Sequence, residues 1–83
     1  MRVYSVVDED YKVRVFSDVV QLVAELPDFA SDHRLSTKPN PKKEMKDSKL
    51  VSAIVENANA GEPTDLYTPG GSVPELIVRA HEV

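Results

Sequence analysis

The chain has 83 residues, 41% of them hydrophobic and 29% charged, with a formal net charge of −4 and no cysteine. That length holds one small hydrophobic core, and the balance of apolar and charged residues excludes both a disordered tail and a membrane segment. Without cysteine there is no disulfide framework and no thiolate metal site, and no apolar run nears the roughly 20 residues that span a bilayer.

The first residues, Met1-Arg2-Val3-Tyr4-Ser5, lack the basic, apolar and cleavage regions of a secretory signal, so a cytoplasmic protein is expected. Val3, Tyr4, Val6 and Val7, then Val13, Val15 and Phe16, are β-formers in two short runs, which predicts a hairpin over residues 2–16. Asp8-Glu9-Asp10 lies between the runs without glycine, which favours a loop of three to five residues. A two-residue loop at Glu9-Asp10 groups Tyr4, Val6, Val13 and Val15 on one face. A three-residue loop groups Val3, Val7, Tyr11, Val13 and Val15 instead. Three adjacent carboxylates could attract a divalent cation. A calcium loop, however, needs glycine at its sixth position and glutamate at its twelfth, where Val13 and Val19 stand, so a solvated acidic turn is expected and no metal.

Ser17 and Asp18 are N-cap candidates, with Gln21 three residues after Asp18 as in a capping box. Val19, Leu22, Val23 and Leu26 then form one apolar stripe, which Pro27 stops. Phe29 and Leu35 are the expected core anchors of the irregular segment that follows. Residues 36–43 contain Pro39 and Pro41 and no apolar side chain, and are expected to form a mobile, extended loop.

This region is also basic. From His33 to Lys49 the chain carries Arg34, Lys38, Lys42, Lys43, Lys46 and Lys49 against Glu44 and Asp47, six minus two, or +4. The rest has four basic and twelve acidic residues, or −8. Such a segment can contact an acidic protein surface or phosphates. Nucleic-acid readers usually interleave aromatic residues or arginines with their lysines, and this stretch offers only Arg34.

Asp47 or Ser48 caps a second helix, whose stripe runs Leu50, Val51, Ile54, Val55 and Ala58 to a stop at Gly61. An earlier start at Pro41, after Asn40, would align Lys42, Lys46 and Lys49 on one side of that helix. Residues 62–71 are rich in turn formers, with Leu66 and Tyr67 as pins. Thr68, Gly70, Gly71 and Ser72 form a glycine-bearing turn that could cradle a phosphate, although it has no P-loop lysine. Residues 75–83 read as a strand on β-branched density, although Ser72-Val73-Pro74-Glu75 also fits a capping box.

The expected fold is α+β: one β-β-α-loop-α-β domain, with a three-stranded antiparallel or mixed sheet and both helices on one face. Nucleophilic catalysis would have to rest on His33 or His81 and scattered carboxylates, and both histidines read as surface residues. The expected function is therefore a non-enzymatic, cofactor-free binding protein that occupies a protein partner as an inhibitor or regulator. Small, cysteine-free, single-domain chains are a common form for phage and mobile-element accessory proteins, an analogy that fixes no activity. The basic residues between Arg34 and Lys49 are its candidate contact surface. Apolar residues left on the open face of the sheet are a second candidate, for a partner or a homodimer. Two alternatives come from other classes. One is an oligomeric small-molecule or nucleotide binder using the Thr68–Ser72 turn; the other is a nucleic-acid accessory using the basic segment.

Overall fold

A computed structural model describes residues 1–8, 10–26, 35–38, 45–68 and 73–83. Its elements run β1 (Arg2–Asp8), β2 (Val13–Phe16), α1 (Val19–Glu25), α2 (Asp47–Asn59), β3 (Thr64–Leu66) and β4 (Leu76–Glu82). The sheet is antiparallel throughout, in the order β2-β1-β4-β3. It therefore has four strands, one more than expected. The additional strand, β3, falls inside the turn-rich stretch. It is three residues long, too short for an alternation of period two to stand out from its glycine and proline flanks.

The hairpin takes the three-residue loop. Val7 pairs with Val13 and Ser5 with Val15. Tyr11 adopts φ +61, its N–H donates to the Asp8 carbonyl at 3.0 Å, and the Asp8 N–H donates to the Lys12 carbonyl at 3.1 Å. This is the arrangement of a G1 bulge, in which the left-handed position is normally glycine. The Asp8 carboxylate supports it by accepting from the Asp10 and Lys12 N–H groups, both at 2.9 Å.

In α1 the Asp18 side chain caps the helix by accepting from the Val20 N–H at 2.8 Å. Helix α2 begins after Lys46, whose side chain makes no capping bond, so Asp47 lies in the first turn. Lys46 thus precedes the helix rather than extending a lysine stripe along it. At the other end the Glu62 N–H donates to the Asn57 carbonyl and the Gly61 N–H to that of Ala58. These are the two bonds of a Schellman motif, and Gly61 at φ +75 supplies its left-handed residue. The chain then turns directly into β3, where the Asn57 side-chain amide donates to Thr64 Oγ1 at 2.9 Å.

Both helices cover the same face of the sheet. Tyr4 and Val6 of β1, Leu66 of β3, and Leu76 and Val78 of β4 join Leu22, Val23, Leu26, Leu35, Leu50 and Ile54 in one core. Each large aliphatic side chain in that core contributes about 1.5–3 kcal/mol, which a domain this small needs against its conformational entropy. Leu35 anchors as expected, and Met45 is tied to it by an N–H to carbonyl bond of 3.0 Å. Phe29 lies outside the described residues. At the β3 edge Ser36 and Tyr67 exchange backbone bonds of 3.1 and 2.8 Å, which adds an isolated antiparallel bridge beyond β3. Among the described residues, no helix is long and apolar enough to cross a membrane.

Candidate functional site: the helix-free face of the sheet

Paired residues in an antiparallel ladder point to the same face, and successive residues alternate. The face opposite the helices therefore carries Val3, Ser5 and Val7 of β1, Val13 and Val15 of β2, Ile77, Arg79 and His81 of β4, and Asp65 of β3. No helix covers it. Val13 and Val15 are 58% and 62% exposed, and Val3, Val7 and Ile77 are half-buried. This apolar grouping is the one expected of a three-residue hairpin loop. Val3 and Val7 point outward, whereas Tyr4, Val6 and Phe16 lie on the helix side.

The edge of the sheet continues the surface. Asp8 and Lys12 share a ladder bond, so alternation turns the backbone N–H and C=O groups of Val13 and Val15 to the outer side of β2. A partner strand could add there and cover both valine side chains at once.

At the hairpin end this face deepens into a cleft of about 290 Å³. Val7 and Ile77 face each other in its lining, with Tyr11, Val73 and Pro74 beside them. Tyr11 is 85% exposed and Val73 74%. Asp8 and Glu75 are the acidic residues of the lining, and Asp65 stands opposite Ile77 on β3. Asp65 and Glu75 are half-buried, and neither carboxylate has a hydrogen-bond or ion-pair partner among the described residues. A second cleft, also about 290 Å³, lies at the C-terminal end of α2, where Glu62 and Arg79 are its charged groups.

Ser5 and His81 meet on the same face, with Oγ and Nε2 2.9 Å apart. Ser5 is buried and His81 exposed. A serine hydroxyl against an imidazole supplies two parts of a nucleophilic site. The remaining parts are an acceptor that orients Nδ1 and donors for an oxyanion, and no such acceptor is found among the described residues. This contact joins residues 76 apart in sequence, so local patterning carried no sign of it. His33 lies outside the described residues.

At the opposite corner, Arg2 of β1 donates from Nε to Glu82 of β4 at 2.6 Å and from Nη1 to Asn59 Oδ1 at 2.9 Å. These bonds tie the two central strands to the end of α2. The hydrogen bond from Arg2 holds the Glu82 carboxyl below its ordinary value, and the same bond raises the guanidinium.

The described members of the basic segment between Arg34 and Lys49 lie elsewhere. Lys38 follows the Ser36–Tyr67 bridge, beyond β3 and across the sheet from β2, and its N–H donates to Ser36 Oγ at 3.2 Å. Lys46 and Lys49 flank the start of α2, and all three are exposed. Arg34, Lys42 and Lys43 lie outside the described residues, as do Gly70, Gly71 and Ser72 of the glycine turn. Thr68 is half-buried just past the bridge. Among the described residues, no three acidic or histidine side chains gather closely enough to hold a metal. Glu9, the centre of the acidic turn, is not among them.

No protein-family model, curated protein or solved structure matches the chain.

Proposed function

We propose that this chain is a non-enzymatic binding protein that occupies a protein partner, as an inhibitor or regulator does, through the helix-free face of its sheet. The observation that carries this reading is the pair Val13 and Val15. Two valines more than half exposed stand side by side on an edge strand, next to Val3, Val7 and Ile77 on the same face. Small monomeric domains seldom leave such a group facing water unless something covers it. The outward backbone groups of the two valines offer a partner main-chain hydrogen bonds as well as apolar contact.

The test is Val15→Glu. It places a charge in the middle of the proposed contact at a position that contributes little to the core, so the fold survives and binding is lost. The basic residues give the competing reading, with Lys38, Lys46 and Lys49 as contacts for an acidic protein or for phosphates. Their separation from the valine edge makes the two surfaces independently testable. Replacing the three lysines with glutamate leaves binding intact on the sheet-face reading and abolishes it on the other. For a nucleic acid, binding would also fall steeply with salt.

A further inference from the structure

We infer that the cleft between Tyr11 and Glu75 receives an arginine or lysine side chain of the protein partner, with its aliphatic stem on Val7 and Ile77 and its cationic head among the carboxylates. This rests on the reading that the helix-free face binds protein. It adds which chemistry the partner must present there.

Three features converge on that occupant. The first is an apolar lining. Val7, Val73, Pro74 and Ile77 suit a hydrocarbon stem, and Tyr11 presents an exposed ring on which a cation can lie. The second is charge. Asp8 and Glu75 line the cleft, and Asp65 on β3 stands opposite Ile77, one of its lining residues, while Lys12 is the one basic residue of the neighbouring turn and Arg79 lies two residues along β4 on the same face. The third is unused bonding capacity. Asp8 is occupied by two backbone N–H groups, but Asp65 and Glu75, both half-buried, have no partner among the described residues. Partly desolvated carboxylates beside apolar surface favour a cation that brings its own hydrogen-bond donors, and guanidinium does this best. A neutral aliphatic side chain would satisfy the lining and leave the carboxylates unpaired.

The cleft also has strained backbone at its edge. A tyrosine at φ +61 costs about 1–2 kcal/mol relative to glycine in the left-handed region. The position holds a large ring where glycine would be the favoured residue, as expected if the ring contacts a ligand.

The experiment is a two-dimensional amide NMR titration of the ¹⁵N-labelled protein with N-acetyl-arginine amide. N-acetyl-norleucine amide and N-acetyl-glutamate amide serve as stem-only and anionic controls. The expected result is a saturable shift centred on Val7, Tyr11, Glu75 and Ile77, with the norleucine probe weaker by about three- to tenfold. Glu75→Gln and Asp65→Asn should each weaken the arginine probe while leaving the rest of the spectrum in place. Equal binding of the norleucine probe, shifts centred elsewhere, or indifference to both substitutions would overturn the inference. If Val15→Glu abolishes protein capture while the arginine probe does not bind, the cation assignment fails and the sheet-face reading stands. If the arginine probe binds and no protein is captured, the sheet-face reading fails instead. A dimer that the arginine amide dissociates would overturn the assignment to a different protein, in favour of a second copy of this chain.

Discussion

Val7 and Val13 face each other across the β1–β2 ladder and point away from both helices, whereas the next residue inward, Val6, is 1% exposed in the core. One step along the strand thus separates the side chains that stabilise the fold from those available to a partner. Substitutions on the two faces should accordingly have opposite signatures, one in stability and the other in binding.

On the core side, Leu66 is fully buried on β3 against β4. Leu66→Ala should cost about 2–5 kcal/mol, enough to unfold much of a domain this size. Val15→Ala should change stability by no more than about 0.5 kcal/mol. Urea unfolding of the two variants checks the contrast.

At the hairpin, Tyr11→Gly relieves the left-handed strain and adds about 0.5–1 kcal/mol of stability once the added freedom of the unfolded chain is counted, read as a higher urea midpoint. The same change removes the aromatic ring and weakens the arginine probe. Tyr11→Val should lower stability, because a β-branched residue tolerates that conformation poorly. Loss of stability in Tyr11→Gly would mean that the ring's packing outweighs the backbone strain.

Helix α2 starts after Lys46, an N-cap residue whose side chain makes no capping bond. Lys46→Ser supplies an acceptor for the free N–H groups of the first turn and should add about 1 kcal/mol to stability. Binding should not change, because Lys46 lies away from the sheet face. A thermal scan together with a binding assay separates the two effects.

The Arg2–Glu82 pair sets a pH dependence of known sign. The folded carboxyl of Glu82 is lowered by its hydrogen bond from Arg2. Its contribution is therefore fully present above the unfolded glutamate pKa of about 4.3 and is lost as pH falls through the lower folded value. The group is solvent-exposed, so the contribution is small and shrinks with salt. Glu82→Gln should flatten the acid limb of the stability curve at low ionic strength; an unchanged limb would show that the pair is not populated in solution.

The parts of this fold that rest on local chemistry were legible in the sequence. Asp18, Gly61 and the stripes Leu22–Val23–Leu26 and Leu50–Ile54 announced both helices, and β-branched density announced β4. The missing glycine after Asp8 pointed to the longer hairpin loop, which brings Val3, Val7, Val13 and Val15 together. Strand β3 was hidden because Thr64-Asp65-Leu66 is defined by its pairing with β4 rather than by its own pattern. The same holds for the Ser5–His81 contact and for the approach of Glu75 to the hairpin end, which exist only once distant strands are side by side. The charge run from Arg34 to Lys49 was the most visible feature of the sequence, yet its described members lie away from the valine edge.

The most direct test is a capture experiment on lysate of the source cells after nuclease treatment. It compares the wild-type chain, Val15→Glu, and the triple variant Lys38→Glu, Lys46→Glu, Lys49→Glu, each first shown to unfold at a comparable urea midpoint. One protein should be retained stoichiometrically by the wild type and the lysine variant and lost by Val15→Glu. Retention by Val15→Glu with loss by the lysine variant would contradict the sheet-face reading and move the contact to the basic surface.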